Sequence, residues 1–349
     1  MKAAVLEGID TLVLKEVETP ACTQDTILLR VDACAVCGTD VKALRHGHQM
    51  VKPPVILGHE LACTIVEVGR SVRGFYDSER VTVASAVPCG MCYYCQRGQS
   101  TVCEDILDIG STWPGGFAQY MLVPARAVRT GCVNKIPDGV SAAAAALTEP
   151  LACCVNAQEM LGVGTGDSVL IVGCGPIGCL NAMLARARGA TCIIMANRSE
   201  PRLKLAEAVG ADHYVNTSEE DLGKAVLDVT GARGADVVIV ACASAEAQEA
   251  ALGLAAPRGR VNFFGGLPRG SSAITFDSNR LHYQEQVLVG NHGATPYQNY
   301  KALALIAAGL VDTEKVITHR FGLDELESAV GTAQKKEGLK VLVEHGQCA

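Results

Sequence analysis

Residues 168–178 read Ser-Val-Leu-Ile-Val-Gly-Cys-Gly-Pro-Ile-Gly. A short apolar run followed by Gly-x-Gly-x-x-Gly predicts a strand, a tight turn and the start of a helix. The first glycine makes the turn, the second lets backbone approach a pyrophosphate, and the third lets the helix pack closely on the strand. A proline suits the first helical turn, where its missing N–H costs nothing. The predicted phosphate-binding residues are Gly173, Gly175, Pro176, Ile177 and Gly178.

Strand and helix patterns alternate after this motif. Later strands are predicted at 191–196, 236–242, 260–264 and 286–289, and helices at about 200–209, 219–229 and 245–255. This alternation predicts an α/β unit with a doubly wound parallel sheet, which binds a dinucleotide at the carboxyl ends of its strands. Gly265, at one such strand end, is expected to let backbone approach the nicotinamide.

The residues after the second strand of this unit discriminate between the two nicotinamide cofactors. A unit that binds NAD usually has an acid there, which binds the ribose 2′-hydroxyl. This chain instead reads Asn197-Arg198-Ser199-Glu200-Pro201-Arg202. Arg198, Ser199 and Arg202 could bind the 2′-phosphate of NADP, which a carboxylate would repel. We therefore expect NADP(H) rather than NAD(H), with an exposed, uninvolved arginine as the alternative.

Residues 1 to about 90 are rich in short strand patterns and predict a small barrel. Within them lie two motifs, Cys37-Gly38-Thr39-Asp40 and Gly58-His59-Glu60. Cysteine, histidine and glutamate are all zinc ligands, and three protein ligands with one open position are typical of catalytic zinc. The alternative is a buried cysteine, a surface histidine and an unrelated glutamate.

Four cysteines follow within fifteen residues, at Cys89, Cys92, Cys95 and Cys103. The spacing predicts a closed structural zinc site with four thiolate ligands. Disulfides and an iron–sulfur cluster are the alternatives.

Composition narrows the class of protein. A chain of 349 residues is long enough for two domains, and its net charge of −7 argues against a nucleic-acid partner. No uninterrupted apolar run is long enough to span a bilayer, so no membrane partner is expected. The N-terminus lacks a signal-peptide pattern, so the sixteen cysteines are interpreted as reduced thiols and metal ligands, and the expected location is cytoplasmic.

Together these motifs resemble the zinc-dependent medium-chain dehydrogenases over essentially the whole chain. Within that family they resemble the sorbitol (polyol) dehydrogenases, whose Glu-Pro-Leu matches Glu149-Pro150-Leu151 and whose late motif is similar to 317–321. The resemblance implies a GroES-like β-barrel catalytic domain at 1–151 and 294–349, with a structural zinc lobe at 89–103. It implies a Rossmann domain at 152–293. It also implies two zinc ions per chain and a homodimer or homotetramer, joined near 286–290.

The resemblance implies that a catalytic zinc is held by Cys37, His59 and Glu60. Glu149 is then either a fourth ligand or the holder of a bound water, and Thr39 passes the substrate proton outward. Lys42 stands where many family members have a histidine in that relay.

The implied reaction is hydride transfer between NADP(H), or NAD(H), and a polyol/ketose pair. A basic cluster formed by Lys42, Arg45, His46, His48 and Lys52 leaves a polyol phosphate open as the substrate, although such a charge run is more often a solvated surface. A threonine or simple alcohol dehydrogenase is a second alternative. A non-catalytic zinc-binding structural protein on the same fold is the alternative from another class.

Overall fold

The computed structural model describes residues 1–268 and 270–345, which form two compact units. The first unit combines Met1–Ala152 with the segment that begins at Gly293, and the second is Cys153–His292. These bounds differ by one residue from the predicted domains. Residues 346–349 of the predicted catalytic domain lie outside the described residues.

The first unit is built mainly from short strands. Its strands before residue 152 are β1 (Lys2–Gly8), β2 (Thr11–Glu16), β3 (Ile27–Ala35), β4 (Val55–Ile56), β5 (Glu60–Val68), β6 (Arg80–Val83), β7 (Ala86–Val87), β8 (Leu107–Asp108), β9 (Tyr120–Val123) and β10 (Val133–Lys135). The helices are α1 (Gly38–His46), α2 (Tyr93–Gln96), α3 (Ala125–Arg129), α4 (Ala142–Ala146) and α5 (Thr148–Leu161), which runs on into the second unit.

The second unit alternates strands with helices. Its strands are β11 (Ser168–Val172), β12 (Cys192–Asn197), β13 (His213–Asn216), β14 (Ala235–Val240), β15 (Ala255–Phe263) and β16 (Val287–Gly290). Its helices after α5 are α6 (Pro176–Ala187), α7 (Glu200–Ala206), α8 (Leu222–Val229), α9 (Ala245–Leu254) and α10 (Ser278–Tyr283).

The chain then returns to the first unit. This segment contains α11 (Pro296–Ala307), β17 (Ile317–Gly322), α12 (Leu326–Lys335) and β18 (Lys340–Glu344). No helix among the described residues combines the length and the apolar character needed to cross a membrane.

The main sheet of the first unit has the order β10-β6-β5-β3-β18-β17, and β9 also pairs with β3. β3 is largely buried, as expected for a strand between two neighbours. Its last residue, Ala35, is paired with Glu60 of β5 on one side and with Leu342 of β18 on the other. This register brings the start of β5 and the returning strand β18 to the same end of β3.

The sheet of the second unit is parallel throughout and has the order β13-β12-β11-β14-β15-β16. This order, 3-2-1-4-5-6 in sequence terms, is that of a doubly wound dinucleotide-binding sheet. Strand β11 matches its predicted range, whereas β13 was not predicted. Its four residues include a histidine and an asparagine and are too few to show a clear alternation.

The third glycine of the motif is required by packing. A Cβ on Gly178 would lie 1.9 Å from the carbonyl oxygen of Gly173, which is backbone and cannot rotate away. A hydrogen at this position therefore lets α6 start directly against the turn that follows β11.

Gly178→Ala is expected to lower the free energy of unfolding by about 1–3 kcal/mol, because the added methyl group forces backbone apart. The matched control is Gly253→Ala in α9, where a Cβ meets nothing within 4 Å. It should stabilise by up to about 1 kcal/mol, because alanine is the better helix former. Urea unfolding measures both changes, and equal stability of the two variants would contradict this interpretation.

Candidate metal centres and cofactor site

Three side chains with metal-ligating groups meet in the first unit. Cys37, His59 and Glu60 each offer a ligand atom, and these atoms lie within 4.8 Å of one another. Cys37 directly precedes α1, and Glu60 is the first residue of β5. A thiolate, an imidazole and a carboxylate form a donor set that suits a catalytic zinc ion, so the residues present fit the predicted metal.

Gly58 lets the second motif approach the first. Its φ is +93°, and a Cβ there would lie 2.8 Å from the Sγ of Cys34 and 3.0 Å from the backbone nitrogen of Phe117. A side chain is therefore excluded both by the left-handed backbone and by the space. This turn places His59 and Glu60 next to Cys37.

Asp40 connects the two motifs. Its buried carboxylate accepts hydrogen bonds from the backbone N–H groups of Cys37 (2.9 Å) and Gly58 (3.3 Å). The same group lies 3.5 Å from Nδ1 of His59. Burial alone would lower the pKa of His59, but the charges of Asp40 and Cys37 raise it well above its usual value. A carboxylate behind a ligating histidine orients the ring, so Asp40 supports the metal site without joining it.

Sequence reasoning missed Lys340, which lies at this centre. Its Nζ is 2.6 Å from Oε1 and 2.5 Å from Oε2 of Glu60, and both side chains are almost completely buried. Burial raises the pKa of Glu60, and the nearby ammonium opposes that rise. The only signal in the sequence is a lysine at the start of an apolar strand, a position where most lysines would be exposed.

Glu149 lies near this centre without belonging to the group of three. Its Oε1 accepts a hydrogen bond of 3.3 Å from the hydroxyl of Ser85, and its charge adds to the burial that raises the pKa of Glu60. Because Glu149 precedes a proline, the sequence predicts an extended backbone there. This prediction is wrong, since Glu149 and Pro150 both lie in the first turn of α5. Proline is tolerated in a first turn, since no helical N–H is lost there.

The remaining predicted residues of the catalytic domain lie on or near α1. Thr39 is half-buried in the first turn of this helix, and Lys42 is exposed one turn later. In the basic cluster, the guanidinium of Arg45 is bound by Asp10 at 2.7 Å and by Gln334 at 2.8 Å. Arg45 is therefore engaged within the protein itself.

The four lobe cysteines form a second group. Their sulfur atoms lie within 4.8 Å of one another, with Cys89 and Cys95 separated by 3.9 Å and Cys92 and Cys103 by 3.8 Å. Four thiolates around zinc, at about 2.3 Å each, are separated by about 3.8 Å, whereas a disulfide needs about 2.05 Å. All fifteen described cysteines are free thiols. The geometry fits a single tetrahedral metal ion rather than disulfides.

Backbone N–H groups support thiolate character in this lobe. Those of Met91 and Cys92 donate to the Sγ of Cys89 at 3.4 and 3.3 Å. Backbone donors, Glu104 foremost, lower the pKa of Cys92 to about 6, whereas burial raises that of Cys95 to about 12. Backbone N–H donors therefore favour the thiolate forms of Cys89 and Cys92.

The glycine loop of the second unit is held against the end of β12. The N–H of Gly173 donates to the carbonyl of Ala196 (2.8 Å), and that of Cys174 donates to Oδ1 of Asn197 (3.4 Å). Helix α6 begins at Pro176 directly after this loop, as predicted. Asn197, which takes the place of the usual acid, thus fixes the loop through its side chain.

Arg202 is the arginine that reaches the loop. One guanidinium nitrogen lies 3.7 Å from the position that a Cβ on Gly175 would occupy, and the side chain is half-buried. Burial lowers the pKa of this guanidinium. Of the three residues predicted to bind a 2′-phosphate, Arg202 thus lies at the glycine loop, whereas Arg198 and Ser199 are exposed directly before the first turn of α7.

Gly265 lies just beyond β15, as predicted, but the packing there gives it a second role. A Cβ on this residue would lie 2.4 Å from the carbonyl oxygen of Cys242. The carbonyl of Gly265 also accepts a hydrogen bond of 2.8 Å from Gln248. The glycine therefore lets the backbones after β14 and β15 approach each other at the carboxyl edge of the sheet, where dinucleotides bind in this topology.

Comparison with known proteins agrees with this arrangement. The family described as "Alcohol dehydrogenase GroES-like domain" matches residues 23–138, and "Zinc-binding dehydrogenase" matches residues 176–308. An L-threonine 3-dehydrogenase of Pyrococcus abyssi is 36% identical over 90% of both chains. The chain belongs to the zinc-dependent medium-chain dehydrogenases. The predicted family, the GroES-like and Rossmann folds and the assignment as a dehydrogenase are thereby confirmed.

Two other members of this family are similar over almost the full length. A sorbitol dehydrogenase of Halalkalibacterium halodurans is 32% identical over 98% of this chain and 99% of its own. A Sinorhizobium meliloti protein, described as a zinc-binding dehydrogenase and solved with NADP bound, is 34% identical. Its structure superposes with a TM-score of 0.92 over 98% of both chains.

Metal content should distinguish the two groups of ligands. We expect about two zinc ions per chain in the wild type and about one in Cys92→Ser, which breaks the tetrathiolate set. Cys92→Ser should also unfold more readily, because metal binding contributes folding energy to such a lobe. Cys22→Ser, outside both groups, is the control and should keep both ions. Elemental analysis of the purified proteins measures this, and two ions retained in Cys92→Ser would exclude the lobe as a metal site.

Proposed function

We propose that this dehydrogenase oxidises a secondary hydroxyl of a polyol with NADP⁺ and, in reverse, reduces the matching ketose. The observation that carries the proposal is the group formed by Cys37, His59 and Glu60, with the carboxylate of Glu149 nearby. A carboxylate at the position of Glu149 resembles the polyol subgroup, whereas many alcohol dehydrogenases have a cysteine there. The similarity to a sorbitol dehydrogenase over nearly the whole chain supports the same substrate class.

Cys37, His59 and Glu60 would hold a zinc ion, and Asp40 fixes the orientation of the histidine ring. When bound, zinc would supply Lewis acidity and the nicotinamide would supply hydride chemistry. The hydroxyl of Thr39 accepts the substrate proton and passes it outward.

Proton release requires a path from Thr39 to water. Lys42 lies three residues later on α1, and residues at i and i+3 share one face of a helix. Its exposed position places this face at the solvent. We therefore propose that the proton leaves along this face directly to water. The ammonium of Lys42 has donors but no acceptor, so it does not take over the role of the histidine of other family members.

The preference for NADP(H) is proposed from the residues after β12. Asn197 brings no negative charge, and the guanidinium of Arg202 lies at the glycine loop. A guanidinium binds phosphate with charge-assisted hydrogen bonds, which are stronger than neutral ones. The NADP found in the Sinorhizobium meliloti structure supports the same cofactor.

L-Threonine is the second candidate substrate, because the Pyrococcus abyssi relative is a threonine dehydrogenase. The deciding experiment compares kcat/KM for free polyols, polyol phosphates and L-threonine with NADP⁺. We expect the free polyols to give the highest value. A clear preference for threonine would replace the proposed substrate, and a preference for phosphates would assign the basic cluster to substrate binding.

The proposal also includes a homodimer or homotetramer and a cytoplasmic location. Strand β16 ends the six-stranded sheet, and its Val287 is exposed. An edge strand with an exposed apolar side chain can pair with another copy. The molar mass in solution tests this assembly.

His59→Ala should remove one zinc ion and abolish turnover, because the metal loses its imidazole ligand. Elemental analysis and steady-state kinetics on the same preparation measure both effects. His213→Ala, an exposed histidine of the second unit, is the control and should retain both. Loss of one zinc with undiminished turnover in His59→Ala would exclude this centre from catalysis.

Arg202→Ala should lower kcat/KM for NADP(H) by about 10- to 100-fold, the effect of losing one charged hydrogen-bond donor worth about 1.5–3 kcal/mol. The value for NAD(H) should change little, since NAD has no 2′-phosphate. Lys204→Ala removes an exposed cation from the same helix and should affect neither cofactor. Equal losses with both cofactors, or a strong NAD preference in the wild type, would contradict the assignment.

A further inference from the structure

The buried ammonium of Lys340 is the feature from which we draw a further inference. Only 5% of its side chain is exposed, and 1% of that of Glu60. Besides its contacts with both carboxylate oxygens of Glu60, Nζ donates to the carbonyl oxygen of Val36 at 3.2 Å. Nζ therefore donates hydrogen bonds to Oε1 of Glu60 and to the carbonyl of Val36. Oε2 of Glu60 lies in ionic contact with Nζ but accepts no hydrogen bond among the described residues.

Strand register places this ammonium beside the metal ligands. Ala35 pairs with both Glu60 and Leu342, and side chains two residues apart on a strand lie on the same face. Lys340 therefore projects from the same face of the sheet as Glu60. The N–H of Val36, the residue before the ligand Cys37, also donates to the carbonyl of Val341 at 2.9 Å. The returning strand thus contacts the metal site through its backbone and through one side chain.

Several acidic groups lie close to the ammonium of Lys340. The group of three contains a thiol and a carboxylate, and Asp40 and Glu149 add two further carboxylates nearby. The contacts of Nζ with both carboxylate oxygens of Glu60 form a buried ion pair, in which the lysine carries its positive charge. Because like charges repel at short range, the ammonium weakens the attraction of these acidic groups for a metal cation.

We propose that Lys340 is a positioning residue that holds the carboxylate of Glu60 in place and weakens the binding of the catalytic metal ion. The inference rests on the proposed function, because it takes the group of Cys37, His59 and Glu60 to be the metal site. By sharing the charge of Glu60, the ammonium makes this carboxylate a weaker ligand than a free one. A metal ion that binds Glu60 more weakly would bind the substrate oxygen more strongly.

The proposal predicts opposite effects at the two ends of the ion pair. Lys340→Met keeps the length of the side chain but removes the charge, so the metal should bind at least about tenfold more tightly. Glu60→Gln leaves an uncompensated ammonium that repels the metal, so binding should weaken by at least about tenfold. The double variant removes both charges and should lie between the two. Lys340→Arg retains the charge and should stay within about threefold of the wild type.

The measurement is the affinity of each metal site in competition with a chromophoric chelator, at one pH and without substrate. The tetrathiolate lobe is an internal control, because its zinc should be unaffected in every variant. Replacement of the catalytic zinc by Co²⁺ adds a spectroscopic readout. The visible absorption of Co²⁺ should change in Lys340→Met, because Glu60 becomes a stronger ligand when its charge is no longer shared.

The outcomes distinguish an effect of Lys340 on metal binding from a purely structural role. Weaker metal binding in both single variants, or unchanged binding in Lys340→Met, would overturn the proposal and leave Lys340 a structural role. If circular dichroism shows that Lys340→Met does not fold, the comparison of Glu60→Gln with the double variant decides. The proposal requires tighter binding in the double variant, and equal or weaker binding there overturns it. A wild type that binds zinc in the cysteine lobe alone would instead refute the proposed function itself.

Discussion

The hydrogen-bonded pairing of β3 with both β5 and β18 is the constraint on which the metal centre depends. β3 runs into Cys37 within two residues of its end, β5 begins with Glu60, and β18 begins with Lys340. Strand register is strongly specified where a face is buried, because a slip by one residue moves each side chain to the opposite face. The relative positions of the thiol, the carboxylate and the ammonium therefore follow from backbone pairing and not from flexible loops.

The two candidate metal-binding groups of the first unit differ in how the chain supplies their residues. The cysteine lobe draws its four proposed zinc ligands from fifteen residues of chain, and backbone N–H groups donate to the Sγ of Cys89. With zinc bound, such a site would be closed and would contribute to folding. The other group combines a thiol, an imidazole and a carboxylate from two separate motifs, and is surrounded by charged side chains. A mixed donor set with an open position is what a substrate requires.

In the second unit, residues that fix the backbone of the glycine loop also lie in the proposed cofactor site. The hydrogen at Gly178 allows the helix to start against the turn, and Asn197 fixes the loop through an amide in place of an acid. Asn197 brings no negative charge to the glycine loop, and Arg202 brings a guanidinium. Both positions support the proposed preference for a 2′-phosphate, one by lacking a negative charge and the other by supplying a positive charge.

The sequence by itself determined those features whose parts lie close together along the chain. The glycine loop, the four cysteines and the two halves of the catalytic motif were all predicted from local spacing, because each depends on a turn or on one short segment. Tertiary structure decided the rest. Lys340 and Glu60 are 280 residues apart and meet only through strand pairing, so no local pattern indicated the ion pair. The strand β13 and the reach of Arg202 to the glycine loop likewise depend on contacts between separate segments, where long-range contacts override local propensity.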